Sequence, residues 1–302
     1  MKETLDDKIT LTQKRIDLPR NGVIDKIALL FNLTLSNSDS SNAATVSMED
    51  ILNAIEEIRV VADANDIKYS LNGLDLAIMN YYDTAAKSVK PTDSVSVPAG
   101  GTANLNFLLV LNAGEIHALA KEQLSLSINF NKSVTDKVNI SDASVTVTLD
   151  KKVFEDANEW VSYYSGIFVE PKVWAMDKSF ATLNELADLL PIPVGSISIR
   201  GFLIVSDSTG ARADIVDKYA IIQTRPRRTE LMKVDWQTGQ ELDKVEYILD
   251  EPLNGVTVID YDKELVLGGF DLRNAEIGLF KLALKTNAAG NLRYLSHEAV
   301  IL

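Results

Sequence analysis

Alternating apolar and polar positions dominate the chain and predict β-strands separated by short turns. The alternation is clearest over residues 23–35 and returns at 145–148. A period of two places the apolar side chains on one face of a half-buried strand. Short helices are expected where this alternation stops, at 47–55, 74–79 and 182–190. Because strands do not alternate with long helices, antiparallel sheets are favoured over a parallel α/β domain.

The strand pattern of the first half recurs in the second half. Residues 18–22 and 190–195 each join a proline-bearing turn to a glycine and then lead into an alternating strand. A second echo links 104–107, 114–116 and 124–128 to 266–270, 275–277 and 279–284. The copies lie about half the chain apart, well beyond the ~20–50 residues of solenoid repeats. The pattern therefore indicates a tandem duplication of one β-domain.

Two sets of strands predict an all-β fold of two tandem eight-stranded antiparallel jelly-roll sandwiches, a double jelly roll with short helices in the connections. The second set is expected at 166–174, 196–205, 218–224, 229–236, 244–249, 256–260, 265–272, 279–286 and 292–302. The least regular long stretch is 151–165. It places the first jelly roll over 1–155 and the second over 156–302.

Composition removes several classes of function. The 302 residues include no cysteine, so disulfides, thiolate metal sites and a cysteine nucleophile are excluded. A net charge of −13 gives no electrostatic footprint for nucleic acid, and no direct sequence-specific nucleic-acid binding is expected. No apolar run approaches the ~20 residues of a membrane-spanning helix, and the N-terminus lacks the apolar core of a signal peptide. We therefore expect synthesis as a soluble protein in the cytoplasm.

Catalytic motifs do not emerge from the sequence, and no enzyme is expected. The two histidines, His117 and His297, lack a second histidine at zincin spacing and are expected at a surface or an interface. Neither a G-x-S-x-G elbow nor a glycine-rich phosphate loop is present. The acidic segments 214–217 and 260–262 lack the spacing of an EF-hand loop. No cofactor is therefore predicted.

One short segment concentrates positive charge in this acidic chain. Arg225, Arg227 and Arg228 follow an apolar strand and flank a proline. Such a cluster solubilises a loop, pairs with acids on a neighbour, or contacts a phosphate or an anionic lipid headgroup, where each arginine gains about 1 kcal/mol. We therefore single it out as a candidate lipid- or neighbour-contacting cluster.

Aromatic residues gather around the predicted domain boundary. Because aromatic side chains bury large areas, their expected role is packing between the two domains. The cluster comprises Trp160, Tyr163, Tyr164, Phe168 and Trp174.

Three blocks of sequence carry a family resemblance. They read LPRNGVIDKIALLFNLTL, SMEDILNAIEEIRVVADANDIKYSLNGLDLAIMNYYD and FLLVLNAGEIHALAKEQLSLSINF. Together they resemble double jelly-roll major capsid proteins of tailless, icosahedral, lipid-containing bacteriophages, in particular the corticovirus-like group and the flavobacterial lipid-containing phage. The resemblance covers most of residues 9–149 and recurs more faintly from residue 190 to the C-terminus.

This resemblance implies a structural role in the virion. Three chains would form a pseudo-hexagonal homotrimeric capsomer, and capsomers would tile an icosahedral shell over an internal membrane. The implied partners are further copies of the chain, minor capsid or penton proteins, and the lipid surface facing the segment before Ile9 and the loop 225–228. Calcium occurs in some relatives, but the sequence identifies no ligand set for it, and no catalytic residue is implied.

A tandem jelly-roll carbohydrate-binding protein, serving in receptor binding or as a spike, is the main alternative. It would need an aromatic platform or a calcium-and-carboxylate loop at matching positions in both halves. The sequence shows no such set of residues at matching positions in the two halves. A carbohydrate-active enzyme would instead need two carboxylates converging in a cleft.

Overall fold

The computed structural model describes residues 1–265 and 268–302 and divides the chain into two compact units. Unit 1 comprises Met1–Pro171 and Ile301–Leu302, and unit 2 comprises Lys172–Val300. The sequence prediction placed the division after residue 155. Across the described residues, no helix has the length and apolar character needed to span a membrane.

Unit 1 is built from antiparallel strands with short helices between them. Its strands are β1 (Lys2–Thr4), β2 (Ile9–Thr10), β3 (Arg15–Asp17), β4 (Val23–Asn37), β5 (Ala44–Ser47), β6 (Ile55–Ala62), β7 (Asp66–Leu71), β8 (Ser94–Val97), β9 (Thr102–Leu111), β10 (Leu124–Phe130) and β11 (Val138–Lys152). Its helices are α1 (Met48–Asn53), α2 (Gly73–Asp83), α3 (Ala157–Tyr163) and a 3-10 turn at Ala118–Ala120. One sheet has the order β1-β11-β4-β9, the other has β7-β6-β10-β3, and β5 pairs with β8.

In the central strand β4, the alternation of apolar and polar residues in the sequence matches the alternation of buried and outward-facing side chains. Leu29, Phe31 and Leu33 are buried, while the residues between them face outward. Phe31 stacks on Phe107 of the neighbouring strand β9, with ring centroids 5.0 Å apart, and meets Phe130 edge-on. The polar residues therefore lie on the outer face of the sheet, and the apolar ones form the core. The strand predicted over 23–35 is confirmed.

Unit 2 repeats this construction. The chain enters it within β12 (Val169–Phe180) and continues through β13 (Ala187–Pro191), β14 (Ile197–Asp207), β15 (Val216–Gln223), β16 (Thr229–Asp235), β17 (Val256–Asp260), β18 (Phe270–Asp271), β19 (Phe280–Thr286) and β20 (Gly290–Ile301). Its helices are α4 (Trp236–Glu246) and α5 (Tyr261–Glu264). β14 lies between β17 and β20 and also pairs with β18, and the second sheet has the order β13-β19-β15-β16.

Strand pairing in the two units is equivalent. β4 lies between β11 and β9, as β14 lies between β20 and β17. β6 lies between β10 and β7, as β15 lies between β19 and β16. β3 pairs with β10 as β13 pairs with β19, and α2 and α4 occupy the same place in the order of elements. The duplication and the double jelly roll predicted from the sequence are thus present in the topology.

Three local predictions for the second half are wrong. The helix expected over 182–190 is replaced by β13, because pairing with β19 overrides local helical preference. Of the strand expected over 244–249, residues 244–246 are instead the end of α4, and 247–249 form the turn that follows it. The counterpart of β9 is β17 rather than 266–270, of which residues 266 and 267 lie outside the described residues.

Candidate functional surfaces

The basic cluster occupies the turn between β15 and β16, where all three arginines are exposed. Arg225 forms an ion pair with Glu276 at 3.0 Å, and Arg228 forms one with Asp188 at 3.1 Å. The guanidinium of Arg227 has no acidic partner among the described residues. Of the predicted cluster, Arg227 is therefore the charge left for a partner outside the chain.

Part of the predicted aromatic cluster surrounds one histidine in unit 1. The rings of Trp160, Tyr164 and Phe168 lie 5.8, 4.7 and 5.2 Å from the ring of His117, centroid to centroid. Trp160 and Phe168 stack on each other at 4.2 Å. The fourth member, Tyr163, is 61% exposed and reaches the group through Tyr164 at 4.9 Å.

The fifth aromatic residue, Trp174, belongs to unit 2. Its Nε1–H donates to Oε1 of the buried Glu298 at 2.5 Å. The structure thus gathers four of the five aromatic residues around α3 and places Trp174 in a separate polar network. The role proposed for them in packing between domains stays a prediction.

Both histidines are buried within the chain, so neither lies at the surface, which is one of the two positions expected for them. His117 is 1% exposed and His297 is 7% exposed. Trp160 Nε1–H donates to Nδ1 of His117 at 3.1 Å, and the imidazole also hydrogen-bonds the Val169 backbone. An acceptor nitrogen exists only in the neutral ring, so this arrangement requires unprotonated His117.

Burial lowers the pKa of His117 below the usual 6.5, and Lys121 acts in the same direction. The carboxylates of Glu170 and Glu115 and the Val169 backbone bond oppose the shift without reversing it. Because the unfolded chain binds the proton more readily, the stabilising contribution of neutral His117 is complete above pH 6.5. It is lost progressively as the pH falls from 6.5 toward the folded pKa.

Replacing Trp160 by phenylalanine is expected to raise the pKa of His117 toward 6.5, because the substitution removes the N–H that only the neutral ring can accept. NMR titration of the ring resonances measures this directly in a chain with two histidines. Tyr163→Phe is the matched control, since Tyr163 does not hydrogen-bond the imidazole. Equal pKa values in wild type and Trp160→Phe would contradict the assignment.

A cluster of buried charges lies next to His117. The Glu170 carboxylate is contacted by the ammonium groups of Lys68 and of Lys121, the latter at 2.8 Å, and accepts the His117 backbone N–H at 2.9 Å. Lys68 also pairs with the half-exposed Asp66 at 2.6 Å. Burial alone lowers the pKa of Lys121, but the carboxylates of Glu170 and Asp66 outweigh it and raise that pKa. The four charges balance, which makes their burial tolerable.

In unit 2, helix α4 is fixed on one side and open on the other. Trp236 Nε1–H donates to Asp214 at 2.7 Å, and the buried Asp243 accepts Thr257 Oγ1–H at 2.8 Å. On the opposite side stand three exposed apolar side chains, which we call the α4 ridge. They are Leu242, Val245 and Ile248, exposed by 55%, 78% and 78%.

In unit 1, a groove of about 580 Å³ runs along the outer edge of β9, and we call it the β9 groove. Its lining includes Lys87, Val89, Val95, Leu105 and Phe107. At one end, the amide of the buried Asn80 bonds both backbone groups of Val110, donating at 2.8 Å and accepting at 2.7 Å. Because backbone direction alternates along a strand, Asn106 and Leu108 also direct their backbone groups away from β4.

The acidic segments weighed as calcium ligands serve structural contacts. Asp214 Oδ1 accepts N–H groups of Trp236, Gln240 and Gly255, and Asp260 accepts the Lys263 backbone N–H at the start of α5. Over the part of the chain that the structure describes, no group of three or more His, Asp or Glu side chains could hold a metal ion.

Comparison with known proteins gives a clear structural relation. No protein-family model matches the chain, and no curated protein matches it. Among solved structures, the STIV major capsid protein superposes with a TM-score of 0.89 and 26% identity, over 99% of this chain and 96% of that one. The chain thus has the double jelly-roll fold and the role of a major capsid protein.

Two further solved structures share the fold of the capsid protein. The atomic structure of Sulfolobus Turreted Icosahedral Virus contains a chain that matches with a TM-score of 0.86 and 24% identity, over 99% of this chain and 90% of that one. The major capsid protein P2 of bacteriophage PM2 shares the fold with a TM-score of 0.65 and 11% identity, over 100% and 98%. The resemblance to this class of capsid proteins is thus confirmed.

Sequence reasoning missed two features of this capsid protein. Nothing in the sequence around Lys68, Lys121 or Glu170 indicates that the three meet, since their contacts join distant segments. The α4 ridge had a signal, because residues 242, 245 and 248 follow helical spacing. It was lost because 244–249 was interpreted as a strand.

Proposed function

We propose that this capsid protein forms homotrimeric, pseudo-hexagonal capsomers that tile an icosahedral shell over an internal membrane. The observation that carries the proposal is the equivalence of strand pairing in the two units. Three chains with two similar jelly rolls each supply six similar units, which suits closed threefold symmetry with near-sixfold outlines. Nothing in the comparisons supports the carbohydrate-binding alternative.

We also propose that the membrane and other virion proteins contact this shell. The exposed turn carrying Arg227 supports a contact with anionic lipid headgroups, because its guanidinium has no acidic partner among the residues described. The segment before Ile9 is proposed to lie on the same inner face. Minor capsid or penton proteins would fill positions that a trimer cannot occupy.

The purified chain is expected to form a stable species of about 100 kDa, three times its 33.2 kDa mass. Light scattering or native mass spectrometry measures this mass, and electron microscopy should show hexagonal outlines. A chain that stays monomeric at micromolar concentration, and under conditions that assemble shells of related proteins, would contradict the proposal.

A further inference from the structure

The two equivalent helices α2 and α4 differ sharply in how much of each is covered. Both span eleven residues. In α2, every residue except Asp83 is buried, with α1, β6 and β9 packed around it. In α4, burial is confined to Trp236, Gly239, Gln240 and Asp243, which face β15, β16 and β17. The outer side of α4 lacks the cover that its counterpart has.

The side chains on that outer side are apolar. The α4 ridge presents Leu242, Val245 and Ile248 at spacing i, i+3 and i+6, which forms one stripe along the helix and its end. Single exposed apolar residues are common on protein surfaces. Three apolar side chains along one stripe, each more than half exposed, make this side of α4 a candidate for contact with another molecule.

The backbone conformation at Ile248 is a second indication of a contact at this surface. The helix ends with Leu249 N–H bonded to Lys244 C=O at 2.9 Å, and Ile248 between them has a φ of 54°. Glycine is the usual residue at this left-handed position, and a β-branched side chain there is strained. Ile248 is both strained and 78% exposed, so neither the local backbone nor the core of unit 2 favours it. A contact outside the chain would account for an isoleucine at this position.

The β9 groove of unit 1 has the properties that such a ridge requires. Its lining is largely apolar and carries two charged residues, Asp93 and Lys87, of which Lys87 has no ion-pair partner among the described residues. Beside the α4 ridge, the exposed Glu241 is opposite in charge to Lys87, while Glu251 is paired with Lys244 at 3.6 Å. Because the two surfaces differ, contact between them is heterologous, and such a contact forms a ring when the rotation between neighbouring copies closes.

We propose that the α4 ridge packs into the β9 groove of a second copy of this chain, an inference that rests on the proposed trimer. Each copy then offers a ridge to one neighbour and a groove to the other. Three such contacts complete the ring.

Ile248→Gly tests the ridge, because glycine fits the backbone while removing the apolar contact. We expect the unfolding temperature of the dissociated chain to stay equal or rise. We expect the protein concentration at half-dissociation of the trimer to rise about tenfold or more. Val245→Ala should act similarly, since alanine favours the helix but removes the contact. A dilution series followed by mass photometry measures both variants.

Ile277→Gly is the matched control, because Ile277 is 80% exposed but lies outside the α4 ridge. It is expected to leave trimer dissociation unchanged. If wild type is trimeric and Ile248→Gly dissociates at the same concentration, the inference is overturned while the proposed function stands. If wild type itself does not associate, the proposed function fails.

A charge exchange tests the groove. Lys87→Glu and Glu241→Lys are each expected to weaken the trimer, and the double variant should recover most of the loss. If the losses of trimer stability in the two single variants simply add in the double variant, the β9 groove is not the surface that the α4 ridge contacts.

Discussion

Glu170→Ala is expected to lower the free energy of unfolding by about 3–5 kcal/mol, because it leaves the buried ammonium groups of Lys68 and Lys121 without their shared carboxylate. The remaining acid, Asp66, is 43% exposed and cannot neutralise both. The backbone N–H of His117 also loses its acceptor. Urea denaturation near pH 7 measures the loss.

Glu122→Ala provides the matched control for this substitution. Glu122 is an exposed acid next to Lys121 in the sequence, so its loss changes the net charge equally. We expect an effect within about 0.5 kcal/mol. Adding Lys68→Met to Glu170→Ala should recover part of the stability, since it removes one uncompensated charge. If the two alanine variants lose the same stability, the charge cluster does not stabilise unit 1.

At pH 8 and above, Asp243→Asn is expected to stabilise the protein by about 3–5 kcal/mol relative to wild type. Burial raises the pKa of Asp243 to about 8, and the charges of Glu264 and Glu246 add to this effect. The hydrogen bonds from Thr257 and the Val258 backbone oppose the rise. The folded state therefore retains a proton that the unfolded chain releases near its ordinary pKa of 3.8.

The sign of this pH dependence follows from the raised pKa of an acid. Below about pH 4 the group is protonated in both states, and wild type carries no penalty. Stability falls as the pH rises from about 4 to about 8, the pKa of the folded state. Asparagine keeps an accepting oxygen but has no proton to lose, so its advantage should grow across this window.

Denaturation of wild type and Asp243→Asn at pH 5, 7 and 9 measures how the stability difference between them increases with pH. Asp250→Asn is the control, because Asp250 is exposed and lies just beyond the same helix. Its stability relative to wild type should vary little with pH. A constant difference between Asp243→Asn and wild type from pH 5 to 9 would show that Asp243 is ionised in the folded protein.

Sequence reasoning predicted those parts of the fold that depend on local periodicity. β4 alternates strictly because one face meets the core, and its turn at 18–22 reappears before β14 in the duplicated unit. Predictions failed where distant pairing decides the structure, as at β13, which is a strand because β19 lies beside it. The end of helix α4 is predicted as a strand because Val245, Tyr247 and Leu249 alternate with their neighbours as one face of a strand does.

Candidate surfaces were predictable to the extent that residue type marks them. The basic turn and the aromatic group were visible as clusters in the sequence, and the structure places most of each together. The residues that contact these clusters in the folded chain could not be predicted from the sequence. Glu276 and Asp188 neutralise two arginines from about 40–50 residues away, and His117 reaches Trp160 across 43 residues.

Asn80 has a consequence for aggregation. A sheet edge with free backbone groups is a template on which foreign strands can grow, and shells bring many copies of one chain close together. A single carboxamide at Asn80 occupies both groups of Val110 with a donor and an acceptor of its own. It blocks fibril-like growth past this point of β9 without adding charge, which leaves the neighbouring stretch open only to a partner that fits the space beside it.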